Sequence, residues 1–396
     1  ILSGLVGSEM CIRDSHYLWT QAMEQKEVGY DLALSGPFQL FGLDHDLSVG
    51  ASKRELTYRT GDSWSDFIDD DIDLFAWNPR GHAKPNFVAN STWTGELTTQ
   101  DSVYATTRLR LSEPLSLILG GRVDWYEYDD RESSDSDYKV TRNLTRYAGV
   151  VYDLDANHSV YISYTDIFKP QNDRGLDKKP LEPMVGENYE VGIKGEYYDG
   201  ALNASLALFQ IDQKNRAQTL TGQLGCGSTP DSSCYEAAGL VRSRGIDLEI
   251  QGALSDDWQV AAGYTYTQTK YVSDANAARE GEDFDRKKPR QLFKLSTLYT
   301  LPGELQRWRI GGDVYQQSRI RTSGGTGATA WKNQQGSYTV VGLVAGYKAS
   351  EQLDLQLNVN NLFDRTYYSS VADGEWYPYD IYGDPRNFKV TARYSF

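Results

Sequence analysis

Histidine, cysteine and methionine are all scarce in this 396-residue chain, at 4, 3 and 3 residues. The histidines are His16, His45, His82 and His158, and no second Cys pair or nearby His completes a four-ligand zinc set around Cys226 and Cys234. Long apolar runs are missing too: no stretch approaches the ~18 to 20 residues of a membrane helix. Basic excess is absent, since 40 Lys+Arg against 55 Asp+Glu leave a formal charge of −15. That balance argues against a nucleic-acid partner, whose phosphates need basic surface. No Ser-His-Asp, paired-acid or phosphate-loop arrangement stands out, so catalysis has no support. The low mean hydropathy does not exclude a membrane β-barrel, because barrel strands are only half apolar.

Aromatics make up 12% of the chain, with 28 Tyr and 9 Trp, and there are 36 Gly. Such a composition suits interfacial girdles joined to many turns. Alternation runs nearly throughout. Leu353, Leu355, Leu357 and Val359 interleave with Asp354, Gln356, Asn358 and Asn360. The final segment alternates Phe388, Val390, Ala392, Tyr394 and Phe396 with polar residues, and a terminal strand finishing on Phe resembles an assembly signal of bacterial outer-membrane proteins. Strands are expected near 27–35, 45–57, 102–112, 115–128, 142–154, 158–167, 186–199, 200–212, 239–253, 257–271, 290–301, 307–321, 337–349, 352–361 and 387–396.

Short turns at Gly36-Pro37, Glu113-Pro114, Asp155–Asn157, Asp199-Gly200, Ser255-Asp256, Pro302-Gly303 and Ser350-Glu351 alternate with long connections near 58–101, 129–141, 168–185, 213–238, 272–289, 322–336 and 362–386. A soluble sandwich has no reason for that alternation. A transmembrane barrel does, with tight periplasmic turns and long extracellular loops. The expected fold is therefore all-β: an antiparallel transmembrane β-barrel in the outer membrane, in contact with its lipid and lipopolysaccharide. About fifteen strands cannot close such a barrel, since single-chain bacterial barrels have even numbers, so a fragment is expected. Residues 1–15 lack the parts of a signal peptide and resemble a translated sequencing-adapter peptide. The barrel portion is thus expected to span 16–396.

Several segments resemble the TonB-dependent outer-membrane receptors, and among them the ferric-siderophore receptors for coprogen, pyoverdine and ferrioxamine. They are Pro180-Leu181-Glu182-Pro183 with Gly186–Lys194, Val241–Glu249, Asn358-Val359-Asn360-Asn361-Leu362-Phe363-Asp364-Arg365-Thr366-Tyr367-Tyr368 and Gly383-Asp384-Pro385-Arg386-Asn387-Phe388. Tyr164–Gln171 and Lys288-Pro289-Arg290 fit as well. The resemblance implies a barrel of about 22 strands around a plug. Aligned at its end, this chain would supply the C-terminal strands, without the plug or the TonB-contacting box. It further implies active import of a ferric siderophore energised by the TonB complex. The chain alone is not expected to transport. Competing readings are a passive porin-like barrel, or a receptor for haem or cobalamin.

Receptors of this kind bind iron already chelated, so neither a protein metal site nor a cofactor is expected. Bulky, partly apolar chelates suit aromatic walls. The candidates are Trp64, Trp77, Tyr126, Tyr128, Trp331, Trp376, Tyr377, Tyr379 and Tyr382, against the plainer reading of girdle or packing aromatics. Cys226 and Cys234 share one expected extracellular loop, where an oxidising environment favours a disulfide. Asp66, Asp69, Asp70, Asp71 and Asp73 suit Ca²⁺ or, more simply, a solvated loop. Arg319, Arg321, Lys287 and Lys288 are candidates for lipopolysaccharide phosphate or an anionic siderophore, against the plainer reading of surface cations that meet neither. Haem is disfavoured, because only His82 falls on the expected outer side.

Overall fold

A computed structural model describes residues 19–64, 93–132, 137–227, 230–324, 330–372 and 380–396. The prefix 1–15, the Asp66–Asp73 run, His16, His82, Trp77, Trp376, Tyr377 and Tyr379 lie outside the described residues. One 15-stranded sheet dominates, each strand antiparallel to its neighbours in chain order. Its strands are β1 (Trp19–Leu40), β2 (Leu43–Trp64), β3 (Trp93–Ser112), β4 (Leu115–Asp130), β5 (Tyr138–Asp153), β6 (His158–Lys169), β7 (Met184–Tyr197) and β8 (Leu202–Leu224). They continue with β9 (Ser233–Ser255), β10 (Trp258–Ser273), β11 (Gln291–Thr300), β12 (Trp308–Gln317), β15 (Tyr338–Lys348), β16 (Leu353–Asn360) and β19 (Asn387–Tyr394). Two hairpins stand apart, β13 (Ile320–Gly324) with β14 (Trp331–Gln335) and β17 (Tyr368–Ser370) with β18 (Ile381–Tyr382). The sheet is open: β1 and β19 are its edges. No helix among the described residues is long and apolar enough to cross a membrane, which leaves β-strand crossing untouched.

Register explains why the molecule has so little buried apolar core. Leu34 opposes Val49, Val103 opposes Val123, and Val150, Ile162, Val191 and Leu208 follow one another across four strands. The row continues through Leu206 with Leu248, Leu295 with Val314, Val314 with Val341, and Leu357 with Val390. These side chains point outward, Ile162 at 59% and Leu208 at 50% exposure within the sheet. In water such a continuous band would be a liability; in hydrocarbon it is the solvated face. Trp258 meets Tyr299 and Trp308 meets Tyr347 on the short-turn side of the band, as one interfacial girdle. On the opposite margin the outer face turns charged, with Arg146–Asp166 at 2.9 Å, Lys214–Glu187 at 2.6 Å and Arg242–Asp212 at 2.6 Å. The concave face is polar: Ser52 and Ser102 share a 2.6 Å hydrogen bond, and Gln100 and Arg122 each donate to Asp124 at 2.8 Å.

Some boundaries differ from expectation. Gly36-Pro37 lies inside β1, and the turn falls at Phe41 and Gly42, whose φ of 52° and 76° suit a tight hairpin. Pro37 lies opposite Asp46 near the turn end of the β1–β2 hairpin, and pairing continues past it to Leu40 and Leu43. The connection expected at 213–238 shrinks to 225–232, because β8 and β9 pair well beyond the apolar band. Above the membrane both faces of a strand meet water, so backbone pairing persists after the alternation has faded. The strand expected over 307–321 breaks after Gln317, and β13 begins at Ile320 as part of a separate hairpin.

Candidate ligand-binding mouth

The long connections gather at one end, and their side chains decide what that end can hold. Tyr126 and Tyr128 sit near the top of β4 on the concave face, two residues apart and so on the same side. Tyr138 packs against both, with ring centroids 5.6 and 5.4 Å away. The Tyr128 hydroxyl donates to Glu96 Oε2 at 2.6 Å, which holds its ring in place.

A second aromatic group comes from the two hairpins. Trp331 opens β14 opposite Gly324, and its indole covers that glycine so closely that a Cβ there would lie 2.7 Å from Trp331 Cζ2. Tyr382 stacks obliquely on Tyr368 at 4.7 Å, their hydroxyls 3.3 Å apart. That hydroxyl contact raises the Tyr368 pKa above the ordinary phenol range. Asn333 of β14 donates to Asp380 Oδ1 at 2.5 Å, and Asp380 also accepts from the Ala372 N–H at 3.0 Å. The hairpins are therefore one unit, placing Trp331 and Tyr382 on the same side of the mouth. Tyr126 and Tyr128 form a distinct patch on the far flank of the sheet. Trp64 ends β2, its backbone paired with Trp19.

The Asn361 region is a feature whose role the sequence does not reveal. Asn361 is 3% exposed, takes φ 49°, donates to the Arg365 carbonyl at 2.8 Å and the Asp384 carbonyl at 3.0 Å, and accepts from the Arg365 N–H at 2.9 Å. Asp364 accepts from the Arg386 N–H at 2.9 Å, and Asn360 bonds Asn387 at 2.7 Å. The two segments quoted above for their resemblance thus bind each other and clamp the base of the last connection. The sequence singles both segments out by resemblance and gives no sign that they meet.

Elsewhere at the mouth, Cys226 and Cys234 form a disulfide, with Cys234 fully buried. Arg174 ties the 170–183 connection to its neighbours, donating to the Asp137 carbonyl at 3.2 Å while its own carbonyl accepts from Tyr235 at 2.9 Å. Burial in that connection raises the Asp173 carboxyl above its usual range. At the opposite end, the His45 ring bonds the Leu40 carbonyl and the Arg110 N–H, while His158 bonds Asp155 and Tyr197. Both histidines are thus at the short turns and already engaged. No cluster of three or more His, Cys, Asp or Glu suited to a metal occurs among the described residues.

The profile of a family described as TonB dependent receptor-like, beta-barrel matches residues 12–362. The chain belongs to that family. It is 38% identical over 387 residues to a ferric-pyoverdine BN7/BN8 receptor of Pseudomonas putida, covering 94% of this chain and 44% of the relative. A ferric-pyoverdine M114 receptor of Pseudomonas sp. is 35% identical, with 94% of this chain and 46% of the relative covered. Among solved structures, the ferripyoverdine receptor of the Pseudomonas aeruginosa outer membrane, bound to ferripyoverdine, superposes with a TM-score of 0.82 at 34% identity, over 96% of this chain and 49% of that one. The chain therefore spans less than half the length of these relatives. TonB-dependent receptors are receptors and transporters rather than enzymes, and they reside in the outer membrane. The outward apolar band is what such a location requires.

Proposed function

We propose that the receptor to which this chain belongs imports a ferric siderophore, with TonB supplying the energy for release inward. The observation that carries this reading is the likeness to ferric-pyoverdine receptors across 94% of the chain, combined with an aromatic mouth built on a polar-lined wall. In this reading the long connections face outward. Trp331 and Tyr382 offer one apolar wall and Tyr126 and Tyr128 another, with Trp64, Trp77, Trp376, Tyr377 and Tyr379 as further contacts from the loops. Iron arrives chelated, so the wall supplies shape and π-faces rather than metal ligands. The reading includes no catalytic step.

Haem fits less well, since His45 and His158 both lie at the short-turn end and are hydrogen-bonded there. The test is a binding titration on the receptor expressed from the reading frame that carries this chain, following tryptophan fluorescence in detergent. Ferric pyoverdine or a ferric hydroxamate should quench saturably, while haemin and cyanocobalamin should not. Saturable quenching by haemin or cyanocobalamin alone would overturn the substrate class.

A further inference from the structure

Beside the aromatic hairpins lies a pocket of about 690 Å³ that sequence distance conceals. It forms where the connection 274–290 folds back along β10 and meets the start of β13. Backbone bonds frame it: Phe284 N–H to the Thr269 carbonyl at 2.9 Å, Thr267 N–H to Arg290 at 2.8 Å, and Arg321 N–H to Arg286 at 2.9 Å. Thr267 and Thr269 line the pocket. Thr269 bonds Ser243 at 2.9 Å, and Thr265 bonds Asp247, on the face opposite Leu248 and the apolar band. The pocket therefore opens onto the concave side, where a ligand entering the mouth would pass.

Its lining is cationic. Arg286, Lys288, Arg290, Arg319 and Arg321 all border it. Three of the guanidiniums converge on a single carboxylate: Asp283 is bonded by Arg290 and lies 3.9 Å from both Arg286 and Arg321. Glu282 takes another edge of Arg286 at 3.1 Å, yet Arg286 Nε is buried without a hydrogen-bond acceptor. Lys288 and Arg319 have no carboxylate partner among the described residues. Even with Asp285 in the lining, cations exceed carboxylates, and guanidiniums held this way present spare donors in fork geometry. A carboxylate or phosphate would complete the set.

We propose that this pocket receives an anionic arm of the siderophore, so that the receptor selects ferric chelates bearing a free carboxylate. The inference rests on the ferric-siderophore reading and narrows its substrate class. A matched pair tests it: N-succinyl ferrioxamine B, which carries a carboxylate, and N-acetyl ferrioxamine B, which does not. Both are titrated into the receptor by fluorescence quenching. The succinyl form should bind about tenfold more tightly, with the preference shrinking as salt rises. The double reversal Lys288→Glu/Arg319→Glu changes two side chains without carboxylate partners, so the fold should persist. It should erase the preference and leave the acetyl affinity unchanged.

Equal binding of the two probes to the native receptor, or a preference that survives the reversal, would overturn the anionic-arm assignment while leaving the siderophore reading intact. If the reversal strips bound lipopolysaccharide phosphate yet keeps the preference, the cluster serves the outer leaflet and the assignment is again overturned. If neither probe nor any other ferric siderophore binds, both readings fall together.

Discussion

The side-chain amide of Asn361 reaches across the neck of the last connection to the Asp384 carbonyl, 3.0 Å away. With its two bonds to Arg365, this makes Asn361 the closure of the 361–386 segment. Replacing it by Ala should cost roughly 2 to 3 kcal/mol, because buried backbone partners are left unsatisfied. Asn361→Gly separates two contributions, since Gly accepts the φ of 49° but makes none of the bonds. Limited proteolysis should cut both variants faster within 361–386. A Gly variant as resistant as the native chain would show that conformation, rather than hydrogen bonding, closes the neck.

The Cys226–Cys234 bridge ties a small loop already joined by the Gly225 N–H to Ser232 carbonyl bond at 2.7 Å. For so short a loop the chain-entropy model gives about 2.5 kcal/mol. Hydrogen exchange at the 225–232 amides should accelerate by roughly fiftyfold to a hundredfold in Cys226→Ser/Cys234→Ser, while sheet amides keep their rates. A global loss of protection would mean that the bridge supports the whole sheet.

Asp155 caps the turn between β5 and β6, accepting from the Asn157 and His158 N–H groups at 2.8 and 2.9 Å. The Asn157 N–H, followed by the His158 ring, lowers its pKa below the ordinary carboxylate value. A lowered folded pKa means stabilisation that is present above the unfolded value and lost as pH falls through the folded one. Amide exchange at Asn157 and His158, corrected for its intrinsic pH dependence, should therefore lose protection in acid below about pH 4. Asp155→Asn should flatten that dependence. An unchanged acid profile in the variant would assign the loss to another group.

Trp331 and Tyr382 belong to one hairpin unit through Asn333 and Asp380. Trp331→Ala and Tyr382→Ala should each weaken ferric-siderophore binding about tenfold, the scale for truncating an aromatic anchor. Asn333→Leu should weaken it by loosening the unit, with ligand-side aromatics intact. If all three bind normally, the wall that holds the chelate lies elsewhere.

Much of the sheet was legible from alternation, because lipid on one face and polar lumen on the other impose a period of two. Leu353 to Val359 is such a case, and β16 forms there. The strand tops were not legible: Leu224 and Ser233 extend β8 and β9 where neither face meets lipid. Gly36-Pro37 reads as a turn from local propensity, but the β1–β2 register runs through it and the chain reverses at Phe41 and Gly42. At the mouth, aromatic residues could be named from the sequence, though not their grouping, which depends on Asn333 meeting Asp380. The convergence of Arg286, Arg290 and Arg321 on Asp283 needs the 274–290 connection to fold back onto β13, and no local pattern encodes that contact.

The most direct test of the account is uptake of radioactive iron presented as ferric pyoverdine to cells that lack other siderophore receptors and express the reading frame carrying this chain. Saturable accumulation that disappears when TonB is deleted is the expected result. Accumulation independent of TonB, or equal uptake of unrelated small solutes, would contradict it and indicate a passive barrel.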